Sequence, residues 1–426
     1  LYTTNTFTGA VTTYGGTGYN NGGNGGAGTV YLKDANTDEE NLIIDNAGNQ
    51  GDPTPLISED GSGFIFDNLT VSEGVLSIDK LIINNNLTLQ DNSIITHDAA
   101  TTTDTHSLTI TVNGVLTIDS TSSIDVSGKG YLGGYSGGNS SNYGRTSGNT
   151  TTIGSSGRCG GSYGGLGGQG SSGSVGTAYG NFTDPIEPGA GGGSDQSSYY
   201  PGGDGGGLIR LTVNGTLTNN GSILANGGNP GTVYRGGGGA GGGIYIDCGT
   251  LAGTGTITAN GGNGAIYYDA GGGGGGRVAI LYTINTFTGA VTTYGGSGQN
   301  GGGNGGAGII YMKSSTQTYG DLIVSNNNLT TDGYSTPILS VGLGRSFNLT
   351  ADVLTDDTRI WGTDELKGIY LNPNTDQNTV FLIKANDETT ITVDNTTGNM
   401  TDVATAGDQY IGEIHLDKLS IINCAK

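Results

Sequence analysis

Residues 1–34 read LYTTNTFTGAVTTYGGTGYNNGGNGGAGTVYLKD, and residues 281–314 read LYTINTFTGAVTTYGGSGQNGGGNGGAGIIYMKS, with 26 of 34 positions identical. The same 280-residue offset continues at lower similarity, since Asn68-Leu69-Thr70 matches Asn348-Leu349-Thr350. One full module and about half of the next are therefore present. Tandem similarity of this kind is typical of repeat architectures, in which each unit packs against its neighbours. We expect the chain to be a piece of a longer array.

A shorter period of 34 or 35 residues lies inside this module, where the segments 207–229, 243–263 and 276–298 align. Each begins with alternating apolar and polar residues, continues through a second short apolar stretch and closes with a glycine-rich tail. The alternation predicts β-strands with one buried face. The pairs Asn113-Gly114 and Asn214-Gly215 predict tight turns with a positive φ at glycine.

Similar units that cannot bury a face alone predict stacked coils. We therefore expect an all-β fold, a parallel β-helix (β-solenoid), with an array of β-sandwiches as the alternative. The stacked glycine tails are either flexible loops or extended threefold strands of the polyglycine II type, and the 22 tyrosines favour order. The expected organisation is coils over 1–130, a glycine-rich insertion over 131–206, three coils over 207–314 and a less regular continuation of the solenoid over 315–426.

Composition restricts the classes of function. Glycine occupies 87 of 426 positions, charged residues make up 12% of the chain, and the net charge is −22. So acidic a chain repels nucleic acid and anionic membranes, which are bound by clustered lysine and arginine. It contains no apolar run of the length that spans a bilayer as a helix. We expect no nucleic-acid partner and no insertion into a membrane.

The tracts GGGGGGRVAIL, NTFTGAVTTYGG and GGNGGAGTVYLKD resemble those of very large glycine-rich repeat proteins on bacterial cell surfaces. The coil pattern also resembles the pectin-lyase-like and filamentous-haemagglutinin-like superfamily of β-helices. The resemblance covers residues 1–34 and 107–314 best. It implies an extracellular or cell-surface location and an adhesive or scaffolding role.

One acidic turn is a candidate calcium site. Asp34, Asn36, Asp38 and Glu40 place oxygen ligands at alternate positions, as a calcium loop requires. Their counterparts in the second copy, SSTQTYG (314–320), lack the carboxylates, so a solvated acidic turn remains the alternative. We expect no other cofactor.

Three cysteines and a set of sequons are candidates for covalent modification. The Cys159–Cys248 pair is the candidate disulfide, buried free thiols are the alternative, and Cys424 is left to a free or intermolecular role. Asparagines in Asn-x-Ser/Thr are candidate glycan acceptors where they are exposed. The candidates are Asn68, Asn86, Asn139, Asn181, Asn214, Asn348 and Asn395.

The sequence contains no convincing catalytic constellation, and we expect no enzyme activity. The histidines His97, His106 and His415 have no partner at metal-ligand spacing, and each is interpreted as solvated or on a strand edge. Asp356-Asp357 precedes Arg359 and the only tryptophan, Trp361. Adjacent carboxylates on a strand point to opposite faces, so this pair is interpreted as a surface loop.

We therefore expect an extracellular structural or adhesive protein, a segment or subunit of a cell-surface fibre that associates with itself end to end or laterally and contacts surface glycans. Two alternatives remain open. One is a carbohydrate-binding or polysaccharide-cleaving β-helix. The other is an ice-binding protein made from threonine ladders and polyglycine, although the threonines lack a repeated Thr-x-Thr pattern.

Overall fold

The computed structural model describes residues 1–20, 22–58, 60–195, 200–331 and 335–426. Within them the chain is nearly all β-structure, with two single-turn 3₁₀ helices at Ser147–Asn149 and Met400–Asp402. None of the helices described is long and apolar enough to cross a membrane. The strands are β1 (Val30–Lys33), β2 (Glu40–Asp45), β3 (Thr54–Pro55), β4 (Phe64–Ser72), β5 (Val75–Ser77), β6 (Lys80–Gln90), β7 (Ile94–Thr96), β8 (Leu108–Val112), β9 (Leu116–Ile118), β10 (Ser123–Asp125), β11 (Leu208–Asn219), β12 (Ser222–Leu224), β13 (Gly243–Ala252), β14 (Thr256–Thr258), β15 (Arg277–Asn285), β16 (Ala290–Thr292), β17 (Ile309–Ser314), β18 (Asp321–Ser325), β19 (Leu343–Arg345), β20 (Asn348–Leu349), β21 (Val353–Thr355), β22 (Tyr370–Asn372), β23 (Phe381–Asn386), β24 (Thr390–Val393), β25 (Gln409–Glu413) and β26 (Lys418–Ile422).

Two large sheets hold most of these strands. The first runs in the order β1-β2-β4-β6-β8-β11-β13-β15-β17-β18-β26, with β9 beside β6 and β11. It is mixed, because β1 with β2 and β17 with β18 pair antiparallel while its other pairs are parallel. The second sheet, in the order β16-β14-β12-β10-β7-β5-β3, is parallel throughout. From β4 to β16 the chain alternates between the two sheets, except that the consecutive strands β8 and β9 both belong to the first.

Rows of aliphatic side chains form the core between the sheets. In the first sheet, neighbouring strands place in register the fully buried residues Leu81, Ile110, Leu211, Ile246 and Ile280. The second sheet contributes a matching row, Ile95, Ile124, Ile223 and Ile257. Each buried side chain of this size contributes about 1.5–3 kcal/mol relative to exposure. Stacking in register lets a chain of low apolar content build a continuous narrow core.

The strand register follows the alignment of the short repeats. Ile209 pairs with Ile244, and Ile244 pairs with Val278, as the 34- to 35-residue period predicts. The Asn-Gly prediction is wrong, however. Asn214-Gly215 lies inside the continuous strand β11 at a register shift, and Gly215 has no positive φ. Glycine is required there because a Cβ on Gly215 would lie 2.3 Å from the carbonyl oxygen of Gly114 on the neighbouring coil.

The glycine-rich segments are ordered and bond to one another through their backbones. The amides of Gly237, Gly238 and Gly239 donate, at 2.9, 3.0 and 2.9 Å, to three separate segments through the carbonyls of Gly193, Gly271 and Gly228. The next three amides repeat the same order of neighbours, with acceptors Ala190, Gly274 and Ala225. Successive amides thus point in three directions, whereas those of a β-strand alternate between two sides.

This close packing excludes side chains. A Cβ on Gly238 would lie 2.0 Å from the carbonyl oxygen of Gly262, and one on Gly273 would lie 1.9 Å from that of Gly239. Backbones can approach this closely only where the Cβ is absent. We call the assembly of residues 130–134, 159–168, 189–193, 202–207, 225–229, 236–243, 259–264, 270–276, 293–298 and 302–308 the glycine bundle. The 131–206 insertion therefore contributes backbone segments to this bundle.

The C-terminal third differs from the less regular continuation of the solenoid expected over 315–426. Its strands form an antiparallel sheet in the order β19-β25-β22-β23-β24-β21-β20, and the chain then returns to the first sheet through β26, beside β18. A second hydrophobic cluster joins this sheet to the first. It includes Tyr311, Leu322, Trp361, Leu371, Ile383 and Tyr410. Local hairpins replace stacked coils between β18 and β26.

The repeat supplies a matched test of the glycine bundle. Gly16 and Gly296 occupy equivalent positions, but a Cβ would meet nothing within 4 Å at Gly16 and the Gly262 carbonyl oxygen at 2.0 Å at Gly296. We expect Gly296→Ala to lower the unfolding free energy by about 1–3 kcal/mol. Gly16→Ala should change it by less than about 0.5 kcal/mol. Thermal unfolding of the two variants measures this difference, and equal shifts would contradict the packing described.

Candidate functional sites

The acidic turn predicted to bind calcium surrounds a lysine. The Lys33 ammonium lies 3.0 Å from Asp38 Oδ1 and 2.8 Å from Glu40 Oε1. The Lys33 hydrogen bond lowers the pKa of Glu40. The Asp34 carboxylate instead accepts the backbone amide of Asn36, at 2.8 Å. In the described part of the chain, no group of three or more His, Cys, Asp and Glu side chains is arranged to hold a metal ion.

The three cysteines are free thiols. The Cys159 sulfur lies inside the glycine bundle, 3.2 Å from Gln169 Nε2, and burial raises its pKa. Cys248 lies on β13 with its sulfur 3.7 Å from the Leu281 carbonyl oxygen, and burial raises its pKa to about 12. The structure thus does not join Cys159 to Cys248, while Cys424 is exposed.

The glycosylation candidates fall into two groups. Asn139 and Asn181 are 4% and 3% exposed. The Asn139 amide nitrogen donates at 2.9 Å to the carbonyl of Gly133, and that of Asn181 donates to the carbonyl of Lys367. These two cannot accept a glycan without unfolding their surroundings, so their prediction as acceptors is wrong. Asn68 is half-buried, and the exposed candidates are Asn86, Asn214, Asn348 and Asn395.

His97 is buried, contrary to the solvated or edge-strand position predicted for it. Its Nδ1 lies 2.6 Å from the Asp98 carbonyl oxygen, and its Nε2 has no hydrogen-bond partner in the described part of the chain. Burial lowers the pKa of His97 to about 4. His106 instead pairs with Asp79 at 2.9 Å.

The Asp356-Asp357 pair is not a surface loop throughout. Asp356 is buried and accepts hydrogen bonds from the Tyr410 hydroxyl at 2.5 Å and the Thr358 hydroxyl at 2.6 Å. Burial opposes its ionisation, but these hydrogen bonds outweigh burial and lower the pKa of Asp356. Its contacts assign it a structural role in the antiparallel sheet.

A cleft of about 380 Å³ opens where the glycine-rich insertion, the first sheet and the antiparallel sheet meet. Its aromatic wall is formed by Tyr370 and His415, stacked at 4.5 Å between ring centroids, with Tyr319 edge-on to His415 at 5.0 Å. Its volume lies within the range of small-molecule sites, about 300–1,000 Å³. We call it the aromatic cleft.

The charges lining the aromatic cleft differ from those of the chain as a whole. Lys313 and Lys367 line it together with a single carboxylate, Asp184, although the chain has 37 acidic against 15 basic residues. Asp184 lies 3.3 Å from the Lys367 ammonium. Among the residues that the structure describes, the Lys313 ammonium donates only to a carbonyl, that of Thr318 at 2.8 Å. The arrangement offers an aromatic face beside cationic hydrogen-bond donors.

The first sheet carries a row of threonines that was not predicted from the sequence. Thr70, Thr88, Thr117 and Thr218 occupy one register position on four adjacent strands. These threonines are separated by 18, 29 and 101 residues. Only the strand pairing brings them together, at about 4.8 Å per strand.

A comparison of the chain with protein-family models, curated protein sequences and solved structures finds no match. Neither a family nor a function therefore follows from relatedness. The resemblance to giant glycine-rich surface proteins stays a prediction.

His97 predicts a pH dependence of stability. Because its folded pKa of about 4 lies below the unfolded value of about 6.5, only the unfolded state takes up a proton between these values. The unfolding free energy should therefore fall as pH decreases from about 7 towards 4, by up to about 3 kcal/mol. Denaturant unfolding at several pH values from 7 to 5 measures how the unfolding free energy depends on pH. We expect this dependence to be weaker for His97→Gln than for the native chain. The same pH dependence in both would contradict the buried neutral histidine.

Proposed function

We propose that this chain is a segment of an extracellular structural or adhesive fibre, built as a parallel β-helix. In this proposal the two large sheets and the glycine bundle are the three sides of each coil, and the bundle strands adopt the polyglycine II form. Amides that bond in three successive directions support that form, since threefold extended strands present their donors in this way. The giant glycine-rich surface proteins remain the proposed relatives.

Continuity between the modules carries this proposal. Val30 pairs antiparallel with Ile43, and Ile310 pairs with Ile323 at the equivalent positions 280 residues later. The second copy begins inside β15, so the ladder passes from one module to the next within a single sheet. A ladder that continues in this way lengthens with every added module, as a fibre requires.

Equivalent apolar side chains are more exposed in the first copy of the repeat than in the second. Phe7 is 64% exposed and Val11 is 59% exposed. Their equivalents Phe287 and Val291 are half-buried against the core, because the preceding coil lies beside them. Stacking of a further coil, from the same chain or another copy, would cover these side chains. This supports end-to-end association.

Tandem modules give a direct test of the fibre proposal. Eight strand-to-strand steps separate β1 from its repeat equivalent β17. Each added copy of residues 1–280 should therefore lengthen the particle by about 38 Å. Electron microscopy of chains carrying one, two and three copies measures the increment. Particles that grow in width, or as separate beads at variable spacing, would contradict the proposal.

The aromatic cleft favours carbohydrate binding as a second function. Aromatic faces pack against the apolar faces of sugar rings, while charged donors bond hydroxyls and carboxylates. Tyr370 and His415 supply the face, and Lys313 supplies a donor without a carboxylate partner. Such a site would attach a fibre to glycans and requires no catalytic step.

Calorimetric titration with trisaccharides of galacturonic acid and of galactose tests this second function. We expect the acidic trisaccharide to bind more tightly, because Lys313 and Lys367 line the cleft. Lys313→Gln should weaken that binding about tenfold, by loss of a charge-assisted hydrogen bond. Lys418→Gln, an exposed lysine on β26 outside the cleft, is the matched control. Lack of binding, or equal losses in both variants, would refute the site.

A further inference from the structure

Four tyrosines and two arginines form a cluster on the loops that lead into the glycine bundle. Two coils contribute Tyr234 and Tyr267, and these rings are 42% and 48% exposed. We call the whole set the tyrosine cluster. Its members are Tyr200, Tyr234, Tyr267, Tyr268, Arg158 and Arg235.

Tyr234 and Tyr267 have the closest pair of rings in this cluster. Their centroids lie 5.3 Å apart with 25° between the ring planes. The neighbouring pairs of Tyr234 with Tyr200 and Tyr268 are both at 6.1 Å and more steeply inclined, at 70° and 45°. The backbones of Tyr234 and Tyr267 also form a parallel β-bridge. The near-parallel rings are thus held together by both backbone and side-chain contacts.

The arginines fix the surroundings of this pair. The Arg235 guanidinium lies 4.7 Å from the Tyr268 ring centroid and the Arg158 guanidinium 5.5 Å from the same ring. Both arginines face the buried carboxylate of Asp195, at 3.7 and 2.6 Å. Cation–π contacts and a shared carboxylate hold the Tyr268 ring, which packs against Tyr234. A reaction between the Tyr234 and Tyr267 rings therefore loses little further conformational entropy.

We propose that Tyr234 and Tyr267 are a site of oxidative cross-linking, converted to an intramolecular dityrosine by a peroxidase with hydrogen peroxide. Each phenol loses one electron and one proton to give a phenoxyl radical. A carbon–carbon bond then forms between ring carbons adjacent to the two C–O carbons, and the protons on these carbons move to the oxygens and restore both phenols. The peroxide takes up two electrons and two protons and leaves as two water molecules.

The product would join two successive coils covalently at the edge of the glycine bundle. A second tyrosine pair provides an internal contrast. Tyr163 and Tyr179 are closer, at 4.8 Å, but they are 0% and 5% exposed, and burial raises the pKa of both phenols. An external oxidant reaches the exposed pair and is excluded from the buried one. The reaction depends on ring geometry and access, independently of fibre assembly.

The test is treatment of the folded chain, at low protein concentration, with horseradish peroxidase and hydrogen peroxide. After tryptic digestion, tandem mass spectrometry should find the peptide ending at Arg235 joined through Tyr267 to the peptide 236–277, with the loss of two hydrogen atoms. Tyr234→Phe keeps the stacked ring but removes the phenol, so it should abolish this link. Tyr143→Phe alters a tyrosine outside the cluster that is as exposed as Tyr234, at 42%, and should leave the yield unchanged. Coupling of added free tyrosine establishes that the oxidant is active.

Each outcome decides for or against the site. The proposal is supported if the 234–267 link dominates in the monomer and disappears in Tyr234→Phe alone. It is overturned if free tyrosine couples and the chain does not. Links confined to other tyrosines or to separate molecules would also overturn it, as would an unchanged yield in Tyr234→Phe.

Discussion

Backbone hydrogen bonding between closely packed glycine segments is the constraint on which the rest of the structure depends. The bundle amides bond in three directions, and a Cβ would lie about 2 Å from a neighbouring carbonyl oxygen at many positions, for example at Gly238, Gly273 and Gly305. A buried backbone without partners would cost about 1–3 kcal/mol per unpaired group. The glycine bundle satisfies these groups with one another, so a side of the molecule without side chains can be as ordered as a sheet.

This constraint explains how a chain with so few apolar residues can form a stable fold. A short strand of the second sheet buries a single aliphatic residue, such as Ile223 on β12, and the longer strands of the first sheet bury several, such as Leu211 on β11. The glycine bundle is held by backbone hydrogen bonds instead. The 131–206 insertion fits the same scheme, since the Gly161 amide donates to the carbonyl of Gly238, on a segment that follows it in the chain. Arg277, fully buried on β15, donates at 2.9 Å to the Tyr179 carbonyl and joins the insertion to the first sheet.

Local periodicity predicted the regular parts of the fold, and tertiary contacts decided the rest. The alignment of Ile209, Ile244 and Val278 predicted the strand register because successive short repeats place equivalent strands side by side in the first sheet. No sequence period predicts the burial of His97 or the antiparallel sheet between β18 and β26. The aromatic cleft could not be predicted either. It joins Asp184, Lys313 and His415, which only the folded chain brings together. Gly215 shows that an Asn-Gly pair can mark close backbone approach instead of a turn.

In the proposed fibre, the strand ladder supplies length, the glycine bundle supplies rigidity, and the aromatic cleft and tyrosine cluster are the proposed sites of binding and cross-linking. Amide hydrogen exchange resolved at single residues across 236–243 tests the central claim most directly. If the bundle is bonded as described, the amides of Gly237, Gly238 and Gly239 are all protected from exchange, as strongly as the amides of β13, the strand that follows them in the chain. Exchange at the rate of an unfolded chain, or protection of alternate amides only, would contradict it.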